Sequence, residues 1–379
     1  MDVHSKTTTA RTQTGTRMLA AAMLILATAF LTIPATFSSA TAQDLAIPPR
    51  YEAVGHFHEG LAPALEGGKW GFIDRSGNWV VQPTYESVYR GADGRFGIKQ
   101  DGLWGYIATS GDVVIEPKYK EIRAFNEGVA RVREADDAWF FIFPDGTRES
   151  DITFLDASDR ADGLSMVKIK ADYGTPWMIL NPRGAPFDVW GLPQKDLKGF
   201  HAFSEGFARG ITDAGVVYVD AEGKTLFDGN PILGGRDFSE GLAAGSDGRK
   251  WGYFDKDAKT VIGLGLDGAR DFSQGVAPAA LGNKWGYVNK QGSTAYPPEL
   301  ETAYSFRESY ATIKKDGKFG FAHIDEAGKI TIAIEPQYED VYGFQEGLAP
   351  VLVDGKWGFI AAEVAEYSLV RGIGELTPN

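Results

Sequence analysis

From about residue 48 onward, short segments in which large apolar and small or polar positions alternate recur along the chain. In Trp70-Gly71-Phe72-Ile73-Asp74 the two rings and the acid fall on one side, and Gly71 and Ile73 on the other. A period of two is that of a β-strand. Gly beside Trp leaves a gap on the second face, where a neighbouring backbone or ring can approach. Polar turns follow at a fixed distance. Arg75-Ser76-Gly77, Thr109-Ser110-Gly111, Ala221-Glu222-Gly223 and Lys290-Gln291-Gly292 each place Gly seven residues after the Trp position. That suits hairpin turns with positive φ. Short β-branched runs such as Val113-Val114-Ile115 come next, and residues of this kind favour strands. Leu61-Ala62-Pro63-Ala64-Leu65 and Val351-Leu352-Val353 supply a strand before the Trp strand. Each unit is therefore predicted to hold three or four short antiparallel strands. No window keeps a 3.6-residue apolar period, so helix is expected to be scarce.

The alternating segment is one mark of a repeat. Its anchors are Trp70, Trp104, Trp139, Trp177, Val216, Trp251, Trp285, Phe319 and Trp357, spaced 34, 35, 38, 39, 35, 34, 34 and 38 residues apart. A second mark, Phe57-His58-Glu59-Gly60, returns at Phe125, Phe203, Phe238, Phe272 and Phe344, with a drifted copy at Phe306-Arg307-Glu308-Ser309. In six of these seven units the Phe precedes the Trp position by 13 residues, and in the Phe125 unit by 14. A third mark, Pro-x-Tyr-x-x-(Val/Ile), begins at Pro49, Pro83, Pro117 and Pro336. One hairpin unit cannot enclose an indole, whereas stacked neighbours can, so the Trp series reads as core. The Glu of the second mark recurs in nearly every unit. It therefore reads as a ligand for the backbone of the next turn rather than as a catalytic carboxylate.

The paired marks Lys-Trp-Gly-(Phe/Tyr) and Phe-x-Glu-Gly-(Leu/Val)-Ala, held in register over about residues 48–361, resemble the WG-repeat (KWG-type) proteins common among bacterial exported and surface chains. The resemblance implies an all-β chain of tandem antiparallel repeats of 34–38 residues and brings no established reaction with it. The units at 139, 177 and 216 depart from the pattern. The chain enters on the tail half of a unit at Pro49-x-Tyr51 and leaves on the head half at Trp357-Gly358-Phe359-Ile360. Head and tail make one whole repeat, as in propellers that complete a blade from both termini and so remove exposed edges. A propeller-like closed array is expected, with an open, curved solenoid of hairpins as the alternative.

The N-terminal residues differ in kind. Lys6, Arg11 and Arg17 precede the apolar run 18–33, Pro34 ends it, and small residues lead to Ala40-Thr41-Ala42. That order is expected of a secretory signal peptide over 1–42, cleaved after Ala42, with an uncleaved anchor as the alternative. The repeat domain is expected over 43–361 and a polar tail over 362–379. No other run is long enough to span a membrane, so no membrane insertion of the mature domain is expected. The chain has no Cys, which excludes disulfides, thiolate metal sites and Cys nucleophiles. The net charge of −13 would become −15 on loss of residues 1–42, which weighs against binding to nucleic acid.

No Gly-x-Ser-x-Gly elbow, His-Glu-x-x-His or phosphate-binding loop occurs. No catalytic, cofactor-binding or metal-ligating residue is therefore assigned. His56 and His58 share a strand face at a spacing that can hold a metal, but lack a suitable third ligand nearby. Residues that break the repeat are the candidates for partner contact: Trp79, Trp190, His56 and His58. The expected function is that of a monomeric, non-catalytic binding or scaffold protein, exported to the periplasm, cell surface or medium, with a protein or glycan partner. A hydrolase of cell-wall or extracellular glycan and a membrane-anchored structural envelope protein are the alternatives.

Overall fold

The computed structural model describes residues 45–134, 138–172, 174–181, 197–227 and 232–362, and the backbone of 186–188. The expected signal segment 1–42, the tail beyond residue 362 and Trp190 lie outside the described residues. Among the described residues, thirty-five short strands form nine separate antiparallel sheets. Blade 1 shows the plan: strand a, Ala53–Val54; strand b, Ala62–Glu66; strand c, Lys69–Ile73; and strand d, Trp79–Tyr85. The order a-b-c-d then repeats in blade 2 (87–119), blade 3 (121–142), blade 4 (156–188), blade 5 (197–226), blade 6 (234–266), blade 7 (268–300), blade 8 (302–338) and blade 9 (340–361). Blade 3 keeps only three regular strands, and its fourth edge is held by the isolated bridges Trp139↔Phe154 and Ile142↔Arg148.

Blade 9 has only strands a to c of its own. Its fourth is Ile47–Tyr51, which pairs with Lys356–Ala361 through Ile47↔Phe359 and Tyr51↔Trp357. The sheets therefore close into a nine-bladed β-propeller, the closed arrangement expected from the half-units at the two ends. The Tyr51 hydroxyl, donating 2.8 Å to Gly77 O, ties the borrowed strand to the c–d turn of blade 1.

The a–b connection is a tight turn. In blade 1 it is a two-residue hairpin loop closed by His58 and Leu61, with Glu59 at φ 49° and Gly60 at φ 82°. Two successive positive φ values define the type I′ turn, whose twist matches the flanking strands. All nine blades repeat it, and in blades 2 and 4 the pair is Asp93-Gly94 and Asp162-Gly163. The Gly after Trp meets a different demand. A Cβ on Gly71 would lie 2.4 Å from Val81 O and 2.8 Å from Pro83 N, where strand d shifts register across strand c. The same backbone approach recurs over Gly105, Gly252, Gly286, Gly320 and Gly358.

The expectation of a Trp core holds in three units, where Trp139, Trp177 and Trp357 are buried, and fails in others. Trp70, Trp104, Trp251 and Trp285 are only half-buried. They sit at the start of strand c, beside the exposed b–c turn, and keep one edge in water. The residue two positions on is fully enclosed: Phe72, Tyr106, Tyr218, Tyr253, Tyr287, Phe321 and Phe359 are at most 1% exposed. Its ring meets the Phe of the next blade's a–b segment, with centroids 5.0 Å apart for Tyr106–Phe125, 4.8 Å for Tyr253–Phe272, 5.0 Å for Tyr287–Phe306, 4.9 Å for Phe321–Phe344 and 5.0 Å for Phe359–Phe57. The tyrosines add a bond across the same gap, as from Tyr253 Oη to Arg270 O at 2.7 Å and from Tyr287 Oη to Tyr304 O at 2.9 Å. Between blades 1 and 2 the contact survives a swap. Gly91 stands where the Phe should be, and Phe96, five residues later in place of the usual Ala, fills the space and reaches Phe72 at 5.2 Å. Between blades 3 and 4 the Phe is replaced by buried Arg160, whose guanidinium lies 5.0 Å from the Phe141 centroid and pairs with Glu149.

Candidate functional site

The a–b turns of successive blades are chained by hydrogen bonds. The carboxylate at the first turn position of one blade accepts backbone N–H groups from the turn of the next. Glu205 accepts from Glu240 N and Gly241 N at 2.6 and 2.9 Å, and Glu308 from Glu346 N and Gly347 N at 2.7 and 2.8 Å. Glu346 in turn accepts from Glu59 N and Gly60 N, carrying the chain across the point of closure. Glu59, Asp93, Glu127, Asp162 and Glu240 make the equivalent bond to Gly94, Gly128, Gly163, Gly206 and Gly275. Burial pushes the Glu205 carboxyl up, but the amides of Gly241 and Glu240 and the Lys256 ammonium together hold it below its ordinary value. The ring has one missing link, between blades 7 and 8, where Gln274 and Ser309 replace the acid and the glycine.

A second set of bonds runs beside the first. In blades 3, 5, 6 and 7 the residue before the first turn position donates to the next blade's carbonyl: Ser204 to Phe238 O at 2.8 Å, Ser239 to Phe272 O at 2.8 Å, Ser273 to Phe306 O at 2.6 Å, and Asn126 to Arg160 O at 2.6 Å. Blades 2 and 4 have Ala92 and Ala161 there, and from blade 8 to blade 1 longer polar groups take the place. The position holds Arg307, Gln345 and His58, which bond to one another: Arg307 NH1 to Gln345 Oε1 at 2.9 Å, and Gln345 Nε2 to His58 Nδ1 at 2.8 Å.

Beside these three residues lies a cavity of about 430 Å³, lined by residues of blades 8, 9, 1 and 2, among them His56, His58, Arg90, Arg307 and Trp70. Side chains from four consecutive blades can meet only near the axis, so the a strands are innermost. His56 leans on Tyr342, with centroids 5.5 Å apart. Burial first, then Arg307 and His58, lowers the pKa of His56. Burial and Arg90 do the same for His58, against the opposing field of Glu346. Both imidazoles are therefore neutral at pH 7, each offering one donor and one acceptor. Arg90 and Arg307 are exposed, and neither makes an ion pair among the described residues. Other arginines are matched to an acid, as Arg131 is to Asp159 and Arg209 to Asp237, both at 2.6 Å.

Trp70 differs from several of its counterparts. In blades 2, 3, 7 and 9 the residue two before the Phe position covers the indole: Tyr89 edge-on to Trp104 at 6.4 Å, Arg123 at 5.3 Å from Trp139, Arg270 at 4.9 Å from Trp285, and Tyr342 stacked on Trp357 at 4.8 Å. In blade 1 that residue is Gly55. A Cβ there would fall 2.6 Å from Pro63 Cγ, and Trp70 has no ring or cation against it among the described residues.

Of the four residues singled out from the sequence, the structure brings His56 and His58 together. Trp79 lies elsewhere, half-buried on strand d of blade 1, edge-on to Tyr51 at 5.6 Å, where it packs on the strand that closes the ring. Trp190 falls outside the described residues. Sequence reasoning missed Arg90, Arg307, Gln345 and Trp70. Aligning the units on the turn rather than on the Phe would have found Arg307 and Gln345, which with His58 occupy a position held elsewhere by Ser, Asn or Ala. Among the described residues no group of three His, Cys, Asp or Glu stands ready for a metal, and no helix is long and apolar enough to cross a membrane.

A family model described as WG containing repeat matches residues 41–70, 70–104, 104–137, 251–285, 285–319 and 324–357, together more than half of the chain. No curated protein matches the sequence. Among solved structures, one described as a eukaryotic initiation factor is 11% identical with a TM-score of 0.50, covering 75% of this chain and 87% of its own. BamB from Moraxella catarrhalis is 10% identical with a TM-score of 0.41, covering 83% of this chain and 98% of its own. The first likeness is one of fold alone, and the second adds nothing to it.

Proposed function

Because the chain belongs to the WG-containing-repeat family and closes as a propeller, we propose that it is an exported, non-catalytic binding or scaffold protein that presents its inner face to a protein or glycan partner at the cell envelope. The observation that carries this reading is the run of longer polar groups before the turns of blades 8, 9 and 1. In blades 3, 5, 6 and 7 that position holds a short Ser or Asn bonded to the next blade. In blades 8, 9 and 1 it holds Arg307, Gln345 and His58, around a concavity with Trp70 in its wall. Concave sites that combine an aromatic wall with a few converging polar groups are the usual form of a binding site. Export rests on the order of charged, apolar and small residues over 1–42.

Three measurements test the proposal. N-terminal sequencing of protein recovered outside the cytoplasm should begin at Gln43, and recovery only from the cytoplasm would refute export. A glycan array and an immobilised envelope fraction should retain the wild-type chain more strongly than Arg90→Ala/Arg307→Ala. Equal retention would remove the cavity from the function. Release of new reducing ends from a retained glycan would overturn the non-catalytic reading.

A further inference from the structure

We propose that the cavity between Gly55–His58 and Tyr89–Arg90 binds a sugar acid, with the pyranose ring laid on the face of Trp70 and its carboxylate taken by Arg90 and Arg307. The inference rests on the binding role just described and names the ligand class for that site.

Three features carry it. The first is the half-buried indole. Where blades 2, 3, 7 and 9 cover this ring with a tyrosine or an arginine, blade 1 has a glycine, and Trp70 lines a space of about 430 Å³. The C–H face of a pyranose is a flat apolar surface of matching kind, and aromatic side chains with one wet face suit such partners. The second is the pair of guanidiniums. Arg90 and Arg307 have no carboxylate within ion-pair distance among the described residues, in a chain of net charge −13 in which Arg131 and Arg209 are paired. A guanidinium is a planar fork that fits a carboxylate through two parallel hydrogen bonds. The third is the set of groups between them. His56, His58 and Gln345 offer neutral donors and acceptors, as the hydroxyls of a sugar require.

A peptide C-terminus would also present a carboxylate. Capture of such a group commonly uses free backbone N–H groups in a tight turn. Here those amides are already taken: Glu59 N and Gly60 N donate to Glu346, and Gly94 N to Glu59. What remains for a ligand is side-chain cation, side-chain amide, imidazole and indole.

The test is calorimetric titration of the folded repeat domain with sodium glucuronate, sodium galacturonate, glucose, inorganic phosphate and a C-terminal dipeptide, with tryptophan emission followed in parallel. One or both uronates should bind, glucose should bind at least about tenfold more weakly, and added salt should weaken uronate binding. Arg90→Gln/Arg307→Gln alters two exposed side chains and should lower uronate affinity at least about tenfold with an unchanged melting temperature. The emission change on binding should vanish in Trp70→Phe. Should that variant unfold, chemical-shift changes at the His56 and His58 rings in the wild type supply the same readout. Phosphate or the dipeptide binding as tightly as either uronate would overturn the assignment. So would binding by neither uronate while the envelope fraction still retains the protein, which would leave the broader binding role standing. Loss of both would refute the two together.

Discussion

Trp285 and Tyr287 stand two residues apart on one strand face and carry different loads. The indole is half-buried with Arg270 across it, whereas the phenol is 1% exposed, packs on Phe306 of the next blade and bonds to Tyr304 O. Tyr287→Ala should cost about 3–5 kcal/mol, the range for truncating a buried aromatic, and Trp285→Ala clearly less. Tyr287→Phe should cost about 0.5–1.5 kcal/mol, because it removes the one bond from the phenol to Tyr304 O. Urea denaturation of the three variants checks the order, and a larger loss for Trp285→Ala would reverse the roles. The Trp is the most conspicuous letter of the repeat, yet the quieter aromatic after Gly bears more of the packing. A period of two shows that both rings share a face. It does not show which of them lies beneath the neighbouring blade.

The histidines set a second expectation at this scale. His56 faces Arg307, His58, Tyr342 and the Gly343 backbone, and His58 faces Arg90, Arg307, Gln345, Glu59 and Glu346. Their folded pKa values lie below the unfolded value of about 6.5. Near pH 7 both states are neutral. As pH falls below about 6.5, the unfolded chain takes up protons first, so stability drops until the folded imidazoles titrate as well. Between about pH 7 and pH 5 the wild type should lose melting temperature relative to His56→Asn/His58→Asn. Parallel curves for the two proteins would contradict this.

At the scale of the element, the a–b turn decides most. Its two positive-φ positions require Gly second and tolerate an acid first, and the acid binds the next turn. Blades 7 and 8 lack this link, and Ser309 sits at φ 65° where Gly is usual. Gln274→Glu/Ser309→Gly should restore the bond and relieve the strained backbone, adding about 1–2 kcal/mol to stability by chemical denaturation. No gain would mean that the interface is limited elsewhere. The bonding role of the repeated Glu was legible in the sequence, because a residue that recurs in nearly every unit points to construction rather than to a unique site. The copies at Asp93 and Asp162 were not, since the Phe that marks the motif is Gly91 in one and Arg160 in the other. Phe96 compensates for the first and the Glu149 ion pair for the second, and neither substitution can be recognised before the blades are set side by side. The same limit hid Arg90 and Arg307, which lie 217 residues apart in the chain and share a cavity only because the array closes.

For the whole molecule, closure depends on one strand. Ile47 and Tyr51 are fully buried between blade 9 and blade 1, and Trp79 and Trp357 pack in the same cluster. Deleting residues 43–52 should expose the edge of Lys356–Ala361 and lower stability by more than any single substitution described above, with self-association visible by light scattering. A monomeric variant of unchanged melting temperature would show that the borrowed strand is dispensable.

That strand also imposes an order of events. Its hydrogen-bonding partner lies some three hundred residues further along the chain. A polypeptide released amino end first, whether from a ribosome or through a translocation pore, carries Ile47–Tyr51 unpaired until nearly everything else has emerged. The sheets between can form in sequence as neighbours arrive, but the circle is sealed only in the final step. A product truncated before residue 356 would remain an open arc with an unpaired strand at one end, easily told from the finished protein by proteases and chaperones.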